Sequence, residues 1–247
     1  LKIFESNANT LNKIQNFTLI STIIGLFYFN FTPMCIGMAI ISFYVYSIFG
    51  LSITLHRYYT HKTFKVNSFF HWALTFIAIL TGRGSPLGWV YIHRLHHAFS
   101  DTEKDPHPLE FKLFGFKTIE SQTKPNVFLV KELMIPAQLF INKYYLLIIL
   151  SWLLILGCID LYLVYFTWIL PIFCIHLSQN CFNYFAHSSG YRNFDTKDKS
   201  TNNIWLWPFV LGDAWHNNHH AKAEKLTTKV NKYEYDPAAN IINLIKK

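Results

Sequence analysis

Nine of the twelve histidines in this 247-residue chain fall in four short elements. Three are clusters: His56-Arg-Tyr-Tyr-Thr-His61, His93-Arg-Leu-His96-His97 and His216-Asn-Asn-His219-His220. The fourth, Asn183-Tyr-Phe-Ala-His187, lies between the second and third. Neutral imidazole is the commonest metal-ligand side chain. In HxxHH the three rings share one face of a helix. Nine imidazoles exceed what one tetrahedral zinc takes and suit two metal ions. Imidazole serves iron, zinc, copper and nickel, so the ligand type alone leaves the metal open. One HxxHH reads equally well as a surface helix. Three clusters, each at the end of an apolar segment, do not.

Those apolar segments must position the rings. Hydrophobic residues make up 51% of the chain and charged residues only 15%, against about a quarter charged in a typical globular domain. This is a membrane composition. Four spans are expected, at residues 17–31, 34–55, 144–158 and 161–182, in two hairpins turning near Asn30–Pro33 and at Asp160. A span needs about 20 apolar residues, so the first must borrow flanking ones. The fold expected is all-α: four transmembrane helices and a helical cap, residues 56–143 and 183–247, carrying a di-metal site. Phe69–Leu80 is too short to cross and reads as interfacial or buried. The Gly-Arg-Gly-Ser-Pro86 turn feeds the helix carrying Trp89 and the second cluster. It is no nucleotide loop, because no strand precedes it.

All 22 Lys and Arg lie outside the two hairpin turns. The positive-inside rule then places both termini and every histidine cluster on the cytoplasmic side. The net charge of +8 reads as a basic cytoplasmic face for anionic headgroups or an acidic electron donor, with no nucleic acid implied. The four cysteines sit in apolar stretches without a CxxC and read as packing residues. The polar N-terminal stretch does not lead into a cleavable signal, and a bacterial inner membrane is favoured over the endoplasmic reticulum.

His176, Asn180, Asn183 and His187 follow i, i+4, i+7 and i+11. They form one polar stripe, expected to face inward, with His176 about 16 Å deeper than His187. His176 and Asn180 either line a channel or satisfy each other. His71 and His107 are not counted as ligands. Asp101, Glu103, Asp105 and Glu110 are candidates for accepting the second N–H of ligand imidazoles.

The three clusters resemble the histidine boxes of the membrane fatty acid desaturases, above all those acting at carbon 9 of acyl-CoA or acyl-lipid chains. Gly88-Trp89, Ser100-Asp-Thr-Glu-Lys-Asp-Pro-His107 and Gly190-Tyr191-Arg192 match as well. The resemblance runs from about Phe31 to Asp236. It implies two ferrous ions held by His56, His61, His93, His96, His97, His187, His216, His219 and His220, with Asn183 bonded to a metal-bound water. It implies a cis double bond made in a fatty acyl substrate, with O2 reduced to water. Electrons would come from a separate ferredoxin or cytochrome b5, because the chain carries no flavin, nicotinamide or cytochrome b5 signature. Trp89, His176 and Asn180 become candidates for the acyl channel. The chain departs from the family at Asp213, often Glu, at His176 and Asn180, and at Tyr91-Ile92, where animal acyl-CoA enzymes carry charges. Three other readings differ in one observable each. A hydroxylase with the same boxes would add oxygen, a metal transporter would not turn over, and a haem protein would show a Soret band.

Overall fold

The structure, a computed structural model, describes residues 9–107, 111 and 126–247 in full, and over residues 2–8 the helical backbone alone. Regular elements among the described residues are helical. Two isolated bridges, Tyr191–Asn202 and Asn202–Trp215, are the only pairing of extended backbone there. The helices are α1 (Lys2–Tyr28), α2 (Pro33–Thr60), α3 (Ser68–Leu80), α4 (Pro86–Phe99), α5 (Pro136–Ile159), α6 (Leu161–Phe185), α7 (Ile204–Ala214), α8 (His216–Ala221) and α9 (Pro237–Ile245).

Side-chain caps start most of them. Thr32 Oγ1 accepts from Cys35 N at 3.2 Å ahead of α2, and Asn67 Oδ1 from Phe70 N at 3.0 Å ahead of α3. Ser85 Oγ accepts from Gly88 N at 3.2 Å ahead of α4, and Asp160 Oδ1 from Tyr162 N at 2.9 Å ahead of α6. Proline follows at the first helical turn of α2 and α4. There its missing N–H leaves nothing unbonded, and its fixed φ suits the helix.

Among the described residues three helices, α2, α5 and α6, are long and apolar enough to cross a membrane. α5 turns Leu147, Leu150, Leu154, Ile155 and Ile159 outward, and α2 does the same with Met34, Ile36, Ile40 and Ile41. α3, at 13 residues, is shorter than a span. The inner faces meet in a core that includes Leu51, Leu55, Ile79, Ile149, Phe166, Trp168, Ile172 and Ile175. Trp168 Nε1 donates to Leu80 O at 2.9 Å and ties α6 to the end of α3.

The helices extend beyond the expected spans, α5 starting at Pro136 and α6 running to Phe185. The polar N-terminal stretch is helical and joins the first apolar segment in one helix. The reason is a buried stripe, Ile14, Gln15, Thr18, Thr22 and Gly25, at helical spacing. α2 runs on to Thr60, past the last apolar residue of its run, because Leu55, His56, Arg57, Tyr59 and Thr60 are all buried there.

Gly25 sets how closely α1 approaches α6. A Cβ at this position would lie 1.9 Å from the Tyr165 ring, and Tyr165 Oη donates to Thr22 O at 3.1 Å. Gly25→Val should therefore destabilise. Overpacking of this kind costs roughly 1–3 kcal/mol, against a helix-propensity gain below about 1 kcal/mol on leaving glycine. Thermal unfolding in detergent checks the sign. An unchanged or raised midpoint would show that the ring moves aside freely.

Candidate metal centre

His56 and His61 are five residues apart, and on an α-helix their rings would point about 140° from each other. Between Tyr46 and Thr60, however, α2 is wound as a π-helix. The His61 N–H closes this winding by donating to His56 O at 3.1 Å. Hydrogen bonds of the i→i+5 type place more than four residues in a turn, so the two rings return to one side. Their centroids are 5.0 Å apart.

The two HxxHH clusters divide in a reciprocal way. From α4, His93 and His97 join His56 and His61, while His96 turns to a second group. From α8, His219 joins the first group, while His216 and His220 meet His96 and His187. In the first group His56 Nε2 lies 2.9 Å from His219 Nε2, and His219 Nε2 lies 3.0 Å from His97 Nε2. His93 Nε2 is 3.1 Å from His97 Nε2 and 3.2 Å from His61 Nε2. In the second group His187 Nε2 and His216 Nε2 are 3.0 Å apart. One ring nitrogen each of His96, His187, His216 and His220 lies within 4.8 Å of the others. The groups adjoin where the His97 and His220 rings stack at 4.5 Å.

Ring nitrogens this close repel unless a proton or a cation lies between them. A metal–nitrogen bond of about 2.1 Å puts neighbouring ligands about 3.0 Å apart at right angles and about 3.4 Å apart in a tetrahedron. The observed 2.9–3.2 Å approaches therefore fit ligands at right angles, as in coordination numbers above four. One buried atom agrees with a bound cation. His220 Nε2 makes no hydrogen bond, although buried polar groups ordinarily do.

Carboxylates hold the far side of the rings. His187 Nδ1 meets Asp101 Oδ2 at 3.1 Å, and His220 Nδ1 meets Asp198 Oδ2 at 2.8 Å. His96 Nδ1 lies 3.0 Å from both oxygens of Asp105. In the first group His56 Nδ1 meets Asp213 Oδ1 at 3.3 Å. An Nδ1–H donated to a carboxylate leaves the Nε2 lone pair for a metal. Burial raises the Asp101, Asp105 and Asp198 carboxyls, but hydrogen bonds from their histidines outweigh it and hold all three below the usual range, Asp105 at about 2.

Asp101 and Asp105 were named from the sequence as candidates for this role. Glu103 is exposed, and Glu110 lies outside the described residues. Asp198 was missed, because it sits 22 residues before His220 in a polar loop without a spacing signal. Asp213 stood out only as a departure from Glu. Trp89 stacks on His93 at 4.7 Å and packs against the core beneath the site. Asn183 lies half-buried on α6, one turn before His187. His176 is buried and meets Arg83 Nη1 through Nδ1 at 3.2 Å, a partner that the sequence reading did not name. Asn180 is buried one turn further along α6. His71 meets Tyr58 Oη at 2.9 Å, away from both groups. The His107 ring lies against His96 at 4.4 Å, and the His107 backbone N–H donates to Asp105.

Burial pushes the imidazoles of His61, His93, His97, His216, His219 and His220 below their usual range, with His61 at about 2 and His220 at about 4. An unfolded histidine titrates near 6.5, so below that pH the unfolded chain takes up protons first. The stability these neutral rings confer is thus full above about pH 6.5 and falls as the pH drops. Protonation also removes the ligand lone pair. Bound metal and unfolding temperature should fall together between about pH 6.5 and 4, measured by metal analysis and thermal scans. Metal retained unchanged at pH 4 would contradict this.

The chain matches the fatty acid desaturase family over residues 31–243. It is 30% identical over 207 residues to the sn-1 stearoyl-lipid 9-desaturase of Anabaena variabilis, which covers 78% of this chain and 73% of that protein. It is 33% identical over 212 residues to the Delta-9 acyl-lipid desaturase 2 of Arabidopsis thaliana, covering 79% and 66%. A third relative, 30% identical over 239 residues and covering 85% and 73%, is the hex-5-enoyl-[acyl-carrier protein] acetylenase of Moorena producens (strain JHB). The family match takes in every histidine cluster and the helices that aim them, so the chain belongs to the fatty acid desaturase family and is an oxidoreductase.

Proposed function

We propose that this enzyme introduces a cis double bond at carbon 9 of a saturated acyl chain carried by a membrane lipid. The observation that carries the reading is the convergence of nine imidazoles into two adjoining groups at the ends of apolar helices. The five-histidine group would hold one ferrous ion and the four-histidine group the other, with Asn183 bonded to water at the second. Two iron ions held there would supply the reduction of O2 and the hydrogen removal that an unactivated methylene requires.

The protein's own residues orient and exclude. Asp101, Asp105, Asp198 and Asp213 keep each partner imidazole in the tautomer that offers Nε2. Trp89 closes the first group against the apolar core and is the residue assigned to the acyl chain, with His176 and Asn180 as deeper candidates. The fold would hold the chain still beneath the site, because position decides which carbon reacts.

A lipid-linked substrate is favoured over acyl-CoA on two grounds. Tyr91 is buried and its neighbour Ile92 half-buried and apolar, so neither offers a charge to CoA, and two relatives are named for lipid substrates. Electrons would come from a separate ferredoxin or cytochrome b5. An acidic donor suits the exposed Lys197, Lys199, Lys222, Lys225, Lys229 and Lys232. The proposed topology adds α1 to the three spans, with cap and termini cytoplasmic in a bacterial inner membrane. The outward Phe17, Ile20, Ile23, Ile24 and Phe27 of α1 support it.

The test is a fatty acid profile from a host lacking its own Δ9 desaturase. New monounsaturated chains, with the bond located by mass spectrometry, are expected. A hydroxylated product would move the chemistry to oxygen transfer, and a bond elsewhere would refute the Δ9 position.

A further inference from the structure

The two histidine groups are backed very unequally. In the four-histidine group three rings meet a carboxylate: His187 on Asp101, His96 on Asp105 and His220 on Asp198. Those carboxylates are themselves fixed by backbone N–H donors. Asp101 accepts from Lys199 N at 2.6 Å, Asp105 from the backbone N–H of Asp101 and of His107 at 2.9 Å each, and Asp198 from Ser200 N at 2.9 Å. Among the described residues the ion-pair partners of Asp101 and Asp198 are histidines alone.

Among the described residues the five-histidine group has one such carboxylate, Asp213 on His56. That carboxylate is shared with a cation, because Arg57 Nη2 donates to Asp213 Oδ1 at 3.2 Å and Ser52 Oγ donates to the same oxygen at 2.9 Å. Much of the negative charge that would strengthen His56 as a donor is therefore already spent on the guanidinium.

We propose that the two metal positions are inequivalent: the four-histidine position, backed by Asp101, Asp105 and Asp198, is the tight one, and the five-histidine position, backed by Asp213 and Arg57, is the labile one. The proposal rests on the two-metal reading above. Loss of one orienting partner typically costs about 10–100-fold in metal affinity. Two more such partners thus outweigh the single neutral donor by which the first group leads. Charge acts in the same direction, since three carboxylates near a dication attract it and a guanidinium repels it.

The test is removal of metal from the purified, iron-loaded protein by a ferrous chelator, with bound iron counted over time. Two phases are expected, one equivalent leaving at least about tenfold faster than the other, the low end of the effect of one orienting partner. His61→Ala should abolish the fast phase and leave the slow one. Asp198→Asn should speed the slow phase alone, and Asp198→Glu should restore part of it. Wild type needs no substitution to fold, so its phases test the proposal by themselves. Loss of both equivalents in one phase overturns it, as does an Asp198→Asn variant that speeds only the fast phase. A protein retaining neither iron overturns the two-metal reading and this proposal with it. Two distinct phases in a protein that desaturates nothing would overturn the acyl substrate reading and leave this one standing.

Discussion

His219→Ala should abolish the unsaturated product while His71→Ala leaves it in place. The two substitutions remove the same side chain from one protein, so the contrast isolates position. His219 Nε2 lies 2.9 Å from His56 Nε2 and 3.0 Å from His97 Nε2, and its ring centroid is 4.6 Å from that of His61. It faces members of its group from both α2 and α4. Loss of a mere orienting partner costs about 10–100-fold in affinity, so loss of a ligand at the centre of the group should cost more. Product should fall at least a hundredfold, roughly the upper end of that range. Metal analysis should show one equivalent missing. Among the described residues the His71 ring meets the Tyr58 hydroxyl and neighbouring rings, outside both groups. Its loss should change product by less than about twofold, as is usual for positions outside a metal site and its supporting shell. Equal losses from both variants would mean that the chain responds to unfolding and not to ligation.

The nine ligand candidates could be read from the sequence because histidine is scarce and its spacing repeats. Their division into five and four could not. It depends on α4 and α8 meeting face to face, so that the i, i+4 pair of each cluster serves one group and the i+3 ring serves the other. The π-winding was hidden for a different reason. Nothing in Tyr46–Thr60 breaks an α-helix by composition, and the winding follows from packing: this stretch buries twelve of its fifteen residues. The expected span ends at Leu55 because His56, Arg57 and Thr60 are polar, whereas the helix that carries it runs on to Thr60. They are polar and buried, with bonds to Asp213, Asp236 and a backbone carbonyl. Pairings across the fold, such as Asp198 with His220 or Arg57 with Asp236, leave no trace in one sequence, since neither spacing nor composition marks them.

Arg57→Ala should lower stability by about 3–5 kcal/mol, the usual loss when one partner of a buried ion pair is removed. Arg57 is 2% exposed, and one nitrogen, Nη2, reaches two carboxylates, Asp213 at 3.2 Å and Asp236 at 3.1 Å. Asp236 is itself 3% exposed. Its oxygens also cap α9 through Ala239 N and accept from Thr227 Oγ1, Thr228 N and Thr228 Oγ1. Without the guanidinium these bonds remain, but the charge loses its counter-ion in a site that water does not reach. For a chain of this length about 1 kcal/mol moves the midpoint by roughly 2–4 °C, so a fall of about 6 °C or more is expected in detergent. Lysine should restore only part, because an ammonium is more strongly hydrated than a guanidinium and costs more to bury. Adding Asp236→Asn to Arg57→Ala separates charge from packing. If the orphaned carboxylate carries the loss, the double variant should be more stable than Arg57→Ala alone, the non-additivity expected of direct partners. If packing carries it, the two losses should add. The effect should also reach the metals. Asp213, released from Arg57, keeps its charge for His56, so iron should leave the five-histidine group more slowly in the folded Arg57→Ala protein than in wild type. A midpoint shift under about 2 °C with the rate of iron release unchanged would show that neither the helix α9 nor His56 depends on this arginine.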